Sequence, residues 1–535
     1  MSVYRDNAQY PFGSARFATG REAATAGLLT REPHSLLVGF MGGQPLWYSG
    51  MGGLLTIAGP RAGKLRDLLA YNICQGIHAP TMIILDIKGG ELAAISQNQT
   101  GDRKYNIYWN PLGLNGLPSH RIDVLGHLHI DNPLLISHVK VFTENAIPPS
   151  GSAQSEYFEG RAREILEALS LSNTEQDGVL TYPALYGAIN LLILGGEAWL
   201  DFAFEMSESR FEIVRRVEQE IAAARDDSSG GWKGIMGEIA RAFACLSDPV
   251  LLDSVSPPFD FSFADLVKGD QTYNVYLMPD GDFVESWAAV IKSMFVAAKT
   301  YKAAAPGAPR QTWVLDELGQ IGRFPLAMKG YTRDPGTGIR LWGVFQSVKQ
   351  MKALGEDGDS IIPASAACQM WFGVRDDGTA SLLSRLIGNE TLRYKDKHAL
   401  ENERHARADL AASIFRGANP FKAAVELAHR ARLARIPKTV ARPVRTPSEI
   451  LGMPDDKMVV FADGLAHPIW ADRKAYYDQP AMAGRYHPNP YHPPETHVQV
   501  MTRRGPDWRP VIQERVPEAF AHYPQYSHGQ WSRIG

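Results

Sequence analysis

Seven short apolar runs along the chain have the length and composition of β-strands. Each run is rich in β-branched or aromatic residues and is followed by turn residues, which favours a strand over a short buried helix. Their almost continuous hydrophobicity is typical of a parallel sheet that is covered on both faces. The runs are Leu54–Ala58, Thr81–Leu85, Tyr273–Met278, Thr312–Leu315, Ile339–Phe345, Gln369–Val374 and Met458–Phe461.

Helical patterns lie between several of these runs, as at Ala380–Ile387. Such alternation of strands and helices predicts a doubly wound α/β domain. A longer stretch between the second and third runs, from Arg121 to Ser256, has helical periodicity almost throughout, and it predicts an all-helical insertion into the α/β domain. Its helices are predicted at Tyr157–Ser170, Pro183–Ile193, Phe211–Ala224 and Trp232–Leu246.

The chain as a whole divides into six predicted segments. Its 535 residues fit three or four domain-sized units, or one large α/β domain with an insertion. Residues 400–445 are charged and rich in Arg and Ala, which predicts a helical excursion, whereas after Pro480 a Pro- and His-rich composition makes regular structure doubtful. The segments are the first part of the α/β domain (1–120), the helical insertion (121–262), the second part of the α/β domain (263–399), the excursion (400–445), the end of the α/β domain (446–480) and the tail (481–535).

Net charge, cysteine positions and the length of apolar stretches limit the kinds of protein that this chain can be. The formal net charge of −3 argues against a protein that grips duplex DNA by charge alone, because such proteins are usually basic. Contact with nucleic acid would therefore need local patches or an assembled ring. Cys74, Cys245 and Cys368 are far apart and lack metal-ligand spacing, which favours a reducing compartment. The polar N-terminus has no signal peptide, and no stretch reaches the ~20 apolar residues that span a bilayer.

The segment after the first predicted strand has the pattern of a phosphate-binding loop. Its sequence, Gly59-Pro60-Arg61-Ala62-Gly63-Lys64-Leu65, would join a strand directly to a helix, so that backbone N–H groups and the helix N-terminus surround phosphates. Lys64 would lie along the β- and γ-phosphates. Two positions depart from the usual motif, because Ala58 replaces its first glycine and Leu65 replaces the hydroxyl residue that binds Mg²⁺. A strand–turn–helix junction with an incidental Gly-Lys is the alternative.

Two adjacent acids end another predicted strand. Asp316 could hold Mg²⁺, usually through water, and Glu317 could polarise the attacking water as a general base. Gln346 follows the next strand, where it is placed to sense a γ-phosphate, since open α/β sheets bind ligands at strand carboxyl ends. Solvated strand-end acids are the alternative for the acid pair alone. Together with the loop, in this order, these residues predict a P-loop NTPase that uses ATP and Mg²⁺.

Further motifs occur in a fixed order between Gly13 and Tyr477. They are Gly13-Ser14-Ala15-Arg16-Phe17-Ala18, Gly27-Leu28-Leu29, Asp86-Ile87-Lys88-Gly89-Gly90-Glu91, Asn110-Pro111-Leu112, Leu315-Asp316-Glu317-Leu318-Gly319, Gln346-Ser347, Phe372-Gly373-Val374-Arg375-Asp376-Asp377 and Pro454-Asp455-Asp456, with Pro468 and Tyr476-Tyr477 at the close. This ordered set resembles the cytoplasmic region of type IV coupling proteins, the TraG-like ATPases of conjugation and type IV secretion.

The resemblance implies a RecA-like nucleotide-binding domain, an inserted all-α domain that docks substrates, and a homo-hexameric ring. It also implies partners: secretion-channel and inner-membrane subunits, with DNA or a relaxase–DNA complex, protein effectors, or both as cargo. Arg375 could project into the next subunit's nucleotide as an arginine finger, although pairing with the aspartates after it is the alternative. Family members normally begin with membrane-spanning helices, and this chain starts where their cytoplasmic part starts. We therefore expect it in the cytoplasm or at the inner face of the cytoplasmic membrane.

The leading hypothesis is an ATP-dependent coupling protein whose hydrolysis is weak, because Leu65 offers Mg²⁺ no oxygen. One alternative is a nucleotide-binding adaptor that recruits substrates and hydrolyses ATP poorly. Another is a DNA-translocating ATPase that works outside secretion. Leu65 separates the motor from the adaptor, because the two predict different ATPase rates. The nature of the cargo stays open.

Overall fold

The computed structural model describes residues 10–74, 80–96, 104–225, 231–394, 438–482, 485–487, 489–491, 496–521 and 529–535, with short pieces between 398 and 429. The chain divides into two compact units. The smaller comprises Met1–Thr19, Arg375–Met453 and Ala466–Ile469, and the larger comprises Gly20–Val374, Pro454–Leu465 and Trp470–Gly535.

The described residues contain strands throughout both units. In chain order they are β1 (Leu36–Met41), β2 (Gln44–Tyr48), β3 (Leu54–Ala58), β4 (Thr81–Leu85), β5 (Lys104–Trp109), β6 (Ile122–Asp123), β7 (Phe261–Ser262), β8 (Thr272–Leu277), β9 (Gln311–Leu315), β10 (Ile339–Phe345), β11 (Cys368–Phe372), β12 (Asn389–Tyr394), β13 (Lys438–Pro443), β14 (Lys457–Ala462), β15 (Ile469–Asp472), β16 (His497–Thr502), β17 (Gly505–Arg515) and β18 (Gln530–Ile534).

The α-helices have 5 to 17 residues, apart from one 25-residue helix in the insertion. They are α1 (Gly20–Thr25), α2 (Ala70–Cys74), α3 (Glu91–Ser96), α4 (Leu135–Ala146), α5 (Ala153–Asp177), α6 (Tyr182–Leu194), α7 (Glu197–Ser207), α8 (Glu212–Arg225), α9 (Gly231–Phe243), α10 (Pro249–Ser254), α11 (Ala288–Ala304), α12 (Pro325–Arg333), α13 (Gly358–Ser365), α14 (Asp377–Ile387) and α15 (Pro447–Leu451).

An 11-stranded sheet forms the centre of the larger unit, with the order β2-β1-β15-β14-β11-β3-β10-β9-β4-β8-β5. The seven strands from β11 to β5 pair in parallel. Every residue of β3, β4, β9 and β10 is buried, as expected of strands covered on both faces. The predicted α/β architecture with a mostly parallel sheet is thus confirmed.

All seven predicted strands are present, with ends that differ from the predictions by at most two residues. The last of them, β14, is antiparallel to β11, which the sequence pattern did not indicate. Four strands of the sheet were not predicted, namely β1, β2, β5 and β15. Gly39 lies near the centre of β1 and interrupts its apolar run. The pairing register with β2 also shifts beside this glycine.

The helical insertion consists of α4 to α10, and α5 packs against α4, α6, α8 and α9. Its two ends meet, because β6 pairs with β7 through Ile122 and Phe261. Two of the four predicted helices lie within α5 and α6. The other two overlap α8 and α9 but extend beyond them, to Phe211 at the start of one and to Leu246 at the end of the other. Helices α4, α7 and α10 were not predicted. Thr181 begins α6 by accepting a hydrogen bond from Ala184 N at 3.3 Å, a side-chain cap of the usual kind.

Helix α11 is buried on all sides from Ala288 to Ala298. Its sequence indicates an amphipathic helix because of Lys292 and Lys299, and this interpretation was wrong for Lys292, which is buried. Within the described residues, no single helix has the length and apolar character to cross a membrane, and one pair of helices, α6 and α7, bent by 116°, reaches that composition only when taken together.

The smaller unit contains α14, β12, β13 and α15. Strand β12 pairs antiparallel with β13, from Asn389 with Pro443 to Tyr394 with Lys438. Most of the predicted helical excursion, residues 400–445, lies outside the described residues. Its end corrects the prediction, because residues 438–443 form a strand; β-branched Thr439 and Val440 suit this conformation.

The tail also corrects the sequence-based expectation. Strands β16, β17 and β18 form a three-stranded antiparallel sheet. Val498 and Val500 alternate along β16 and are buried in an apolar cluster with residues of β1 and α2. This alternation is a strand signal, and the surrounding Pro- and His-rich composition concealed it.

Candidate nucleotide-binding site

Three neighbouring parallel strands carry the predicted site residues at their carboxyl ends. β3 leads into the loop Gly59–Lys64, β10 leads into Gln346, and β9 leads into Asp316 and Glu317. β10 lies between β3 and β9 in the sheet. The three strand ends therefore meet at one edge, which is where open α/β sheets bind ligands.

The loop Gly59–Lys64 is a tight connection whose backbone depends on a glycine. Pro60 and Arg61 are exposed at its tip, whereas Lys64 is buried. Gly63 has a φ of 88°, and a Cβ at this position would lie 2.8 Å from Asp67 Oδ2. Glycine is thus required both by the backbone conformation and by the available space.

The chain leaves the loop as a helix, as predicted. It begins with one π turn, Leu65–Leu69, and continues as α2. Because a helix N-terminus carries partial positive charge, this junction favours an anion above the loop. Gly373, after β11, packs closely against the loop, since a Cβ there would lie 2.4 Å from Ala62 Cβ.

A buried arginine that the sequence did not point to braces the loop. Arg473, just after β15, donates a hydrogen bond to Ala62 O and pairs with Asp67 Oδ2 at 3.0 Å. Its guanidinium also lies 4.3 Å from the centre of the Phe372 ring. Both members of this ion pair are buried, so loss of one would leave a buried charge without compensation. Arg473 lies between Pro468 and Tyr476-Tyr477, which close the ordered set of motifs, but it belongs to neither and lies far along the chain from the loop.

Lys64 joins the loop to the acid pair. Its Nζ lies 2.6 Å from Asp316 Oδ1 and 2.8 Å from Glu317 Oε1. A second lysine, Lys88, places its Nζ 3.0 Å from the same Glu317 oxygen. Lys88 belongs to the Asp-x-Lys-Gly motif after β4, so this element also reaches the site. The result is a compact cluster of two cations and two anions.

Glu317 has an unusual backbone and an unusual pKa. Its φ of 50° is uncommon for a residue with a side chain and is often found at functional sites. Burial favours the neutral form of Glu317. The charge of Lys64, the hydrogen bond that Lys64 donates and the charge of Lys88 together outweigh burial, and they lower the pKa of Glu317 to about 2. A hydrogen bond from Gln346 acts in the same direction, which places Gln346 beside Glu317.

Burial affects the pKa of both Lys64 and Asp86, but the neighbouring charges of the two residues differ. Burial disfavours the charged ammonium, yet Asp316 and Glu317 outweigh it and raise the pKa of Lys64. At Asp86, at the end of β4, burial is the largest influence and, aided by the charge of Asp316, raises the pKa of Asp86 to about 8. Its Oδ2 accepts a hydrogen bond from Ala93 N at 2.9 Å, which ties the strand end to α3.

The residues present fit a magnesium ion that is held mainly by phosphate and water. Among the described residues no group of three or more His, Cys, Asp or Glu side chains could hold a metal ion. Asp316 Oδ1 is nevertheless buried and, apart from its ion pair with Lys64, has no hydrogen-bond partner in the described structure. A carboxylate oxygen in this position suits a cation or a cation-bound water.

Leu65 occupies the position where a hydroxyl would be expected. Its half-buried side chain packs against an apolar cluster that includes Tyr476, Tyr486 and Val498 from the C-terminal segment. These contacts support a packing role for Leu65, which is the alternative to a direct effect of this position on metal binding. It does not supply an oxygen for a metal ion.

Arg375 lies in the smaller unit, between β11 and α14, and is exposed. The following residue, Asp376, caps α14 by accepting a hydrogen bond from Thr379 N at 2.9 Å. The role of Arg375 as an arginine finger involves a neighbouring subunit and stays a prediction.

Comparison with known proteins places this site in context. The sequence model of the family described as "Type IV secretory system Conjugative DNA transfer" matches residues 13–408. Two Escherichia coli proteins named conjugal transfer protein TraG are each 21% identical to this chain, one over 542 residues and the other over 531, and each comparison covers 89% of this chain and 78% of the relative.

Solved structures of the bacterial conjugative coupling protein TrwB have a similar fold. One complex with sulphate, of the form named TrwBdeltaN70, is 16% identical and has a TM-score of 0.56, and the match covers 87% of this chain and 95% of the solved chain. A TrwB complex with the ATP analogue ADPNP has the same identity and coverage and a TM-score of 0.55. A complex with ADP and Mg²⁺ has a TM-score of 0.54 at 16% identity, and the match covers 86% of this chain and 97% of the solved chain. The predicted RecA-like P-loop fold with an inserted helical domain is confirmed.

Proposed function

This chain belongs to the type IV secretory system conjugative DNA transfer family, and we propose that it is an ATP-driven coupling protein that delivers DNA, protein or both to a secretion channel. The observation that carries the proposal is the position of Lys64. Its ammonium is buried at the phosphate-binding loop and contacts both Asp316 and Glu317. One lysine thereby connects the binding element with the residues proposed for catalysis.

ATP binding would change the partners of Lys64. A phosphate in the loop Gly59–Lys64 competes with Asp316 and Glu317 for the lysine ammonium, because all three are anionic oxygen groups. The backbone N–H groups of the loop and the helix start at Leu65 favour the phosphate. TrwB has been solved with ADPNP and with ADP and Mg²⁺, which supports the same ligands for this chain.

Glu317 would then become a better base. While Lys64 and Lys88 hold its pKa at about 2, the carboxylate accepts a proton poorly, since an effective general base has a pKa nearer the working pH. When the Lys64 ammonium contacts the phosphate instead of Glu317, Glu317 loses one of these two cations and its pKa rises. Water activation is in this way linked to phosphate binding. Gln346 orients Glu317 by its hydrogen bond.

Bound Mg²⁺ would supply charge neutralisation at the β- and γ-phosphates. Asp316 would hold it through water, since the carboxylate lies at the strand end beside the loop. Leu65 contributes no oxygen. We therefore expect slow basal hydrolysis.

The cellular role follows from the family. We propose that the chain acts at the cytoplasmic face of the membrane, where ATP is available, as a homo-hexamer with secretion-channel and inner-membrane subunits as partners. Arg375 would complete the nucleotide site of a neighbouring subunit. DNA or a relaxase–DNA complex is the proposed cargo, since the relatives are named for conjugal transfer; protein effectors are the second possibility.

A poorly hydrolysing adaptor is the second candidate, and Leu65 is the observation that favours it. An adaptor needs nucleotide binding at Lys64 but no hydrolysis. A motor needs both. The variant Glu317→Gln therefore separates the two, because it removes the proposed base and keeps the loop.

A mating assay tests the proposal. Donor cells that lack the native gene would be complemented with the wild type, Lys64→Ala, Glu317→Gln, or Lys268→Ala, whose lysine is exposed and paired with Asp265. We expect the wild type and Lys268→Ala to restore transfer, and Lys64→Ala and Glu317→Gln to fail at equal protein levels. Transfer by Glu317→Gln alone would favour the adaptor. Normal transfer without the gene would place the ATPase outside this secretion system.

A further inference from the structure

A cavity of about 660 Å³ opens beside the phosphate-binding loop. One side is formed by residues 61–66 of the loop and helix start, and the other by the C-terminal segment between Tyr476 and Trp508. This volume is within the usual range for small-molecule sites, roughly 300–1,000 Å³. In a nucleotide complex the loop would contact the phosphates only. The rest of the cavity would therefore be available to another part of the nucleotide.

The C-terminal side of the cavity is aromatic. Tyr477, Tyr486 and Trp508 line it, and Tyr486 is held in place by Tyr476, whose ring centre lies 4.7 Å away at an angle of 88°. Trp508, on β17, is 51% exposed, so part of its ring is accessible to a ligand in the cavity. Flat aromatic faces of this kind stack on nucleotide bases.

Polar groups on the same side are suited to the edge of a base. The Tyr486 hydroxyl is buried and has no hydrogen-bond partner in the described residues, although buried hydroxyls usually have one. His487 also lines the cavity, and burial lowers the pKa of His487 to about 4. Its ring is therefore neutral at pH 7.

The aromatic side is tied directly to the loop. Leu65 packs against the cluster that contains Tyr476 and Tyr486, and Tyr477 packs against the same cluster. Arg66 is joined to Tyr477 by a side-chain hydrogen bond. The two sides of the cavity are thus held together by contacts within the larger unit.

We propose that this aromatic surface, formed by Tyr477, Tyr486 and Trp508, binds the base of the nucleotide whose phosphates occupy the loop. The C-terminal segment is then part of the nucleotide site and selects a nucleotide over bare polyphosphate. This inference rests on the proposed function, because it takes Lys64 as the phosphate contact.

Calorimetric titration with ATP and with inorganic tripolyphosphate tests the inference. Tripolyphosphate presents the phosphates without a base. We expect Trp508→Ala to weaken ATP binding about tenfold, as loss of one base–aromatic stack typically does, and Tyr486→Phe to weaken it about fivefold through loss of one hydrogen bond. Both variants should bind tripolyphosphate like the wild type. Trp531→Ala is the matched control, because Trp531 lies on β18 of the same small sheet and does not line this cavity.

The outcomes separate the two proposals. If Lys64→Ala weakens both ligands while Trp508→Ala and Tyr486→Phe leave ATP binding unchanged, the base site is refuted and the loop stands. Equal losses for ATP and tripolyphosphate in the aromatic variants would also refute it, because the segment would then act on the phosphates. If Lys64→Ala weakens neither ligand, the proposed function itself fails.

Discussion

Replacement of Leu65 by threonine should speed ATP hydrolysis about tenfold and slightly lower stability. The new hydroxyl would stand where P-loop enzymes usually place a magnesium ligand. A direct oxygen ligand would hold the ion more firmly between the phosphates, where it neutralises charge in the transition state. A gain of about 1.4 kcal/mol in transition-state stabilisation corresponds to the tenfold rate.

The cost in stability follows from the contacts of Leu65. Its side chain is half-buried and packs against the cluster with Tyr476 and Tyr486. Threonine removes apolar surface worth about 0.8 kcal/mol for each fully buried methylene, so a loss of about 1 kcal/mol is expected for this partly buried site. In a protein of this size, the melting temperature should fall by no more than about 2 °C.

The matched control is Leu65→Val. Valine has the shape of threonine without the hydroxyl, so both variants should lose similar stability and only threonine should gain activity. Steady-state ATP hydrolysis would be measured across a Mg²⁺ titration, with melting temperatures recorded in parallel. Threonine should also lower the Mg²⁺ concentration at half-maximal rate.

Equal hydrolysis by Leu65→Thr and Leu65→Val would refute the metal-ligand reasoning. Fast wild-type hydrolysis that neither substitution changes would do the same. In both cases the packing of Leu65 would be its whole contribution.

Other predictions concern the neighbouring acids and a buried lysine. Glu317→Gln should keep ATP binding, and tighten it because a competitor for Lys64 is lost, while single-turnover hydrolysis falls by roughly 10²-fold or more; unchanged turnover would exclude the base role. Asp316→Asn should raise the Mg²⁺ concentration needed for ATP binding, and an unaltered Mg²⁺ titration would contradict its assignment. Burial lowers the pKa of Lys104 to about 7. Between pH 7 and the usual pKa of lysine, the unfolded chain therefore binds a proton that the folded chain does not. The free energy of unfolding should then rise with pH by at most about 1.4 kcal/mol per pH unit. Lys104→Met should abolish this rise in melting temperature between pH 7 and 9, and an equal rise in the variant would assign it to other groups.

Local patterns were sufficient to predict the centre of the site. The loop Gly59–Lys64 and the pair Asp316 and Glu317 each follow a buried strand, and parallel strands bring their ends to one edge. The physics that places them is contained in short segments of sequence. Their mutual contact through Lys64 follows from the order β3-β10-β9 in the sheet.

Contacts that depend on distant segments could not be predicted in this way. Arg473 reaches Asp67 and Ala62 across much of the chain, and the motif residues on either side of it, Pro468 and Tyr476, do not indicate that contact. The pairing of β14 antiparallel to β11 likewise depends on tertiary packing. In the tail, the alternation of Val498 and Val500 was the available signal, and composition outweighed it in the sequence interpretation.

Equilibrium binding of a fluorescent ATP analogue to the wild type and Lys64→Ala tests the central claim most directly. Lys268→Ala serves as the control for loss of a lysine charge from the surface. The account predicts that Lys64→Ala binds the analogue at least about tenfold more weakly, as expected when a charged phosphate contact worth roughly 1.5–3 kcal/mol is lost, and that Lys268→Ala binds like the wild type. Equal affinities for the wild type and Lys64→Ala would contradict the assignment of this loop as the nucleotide site.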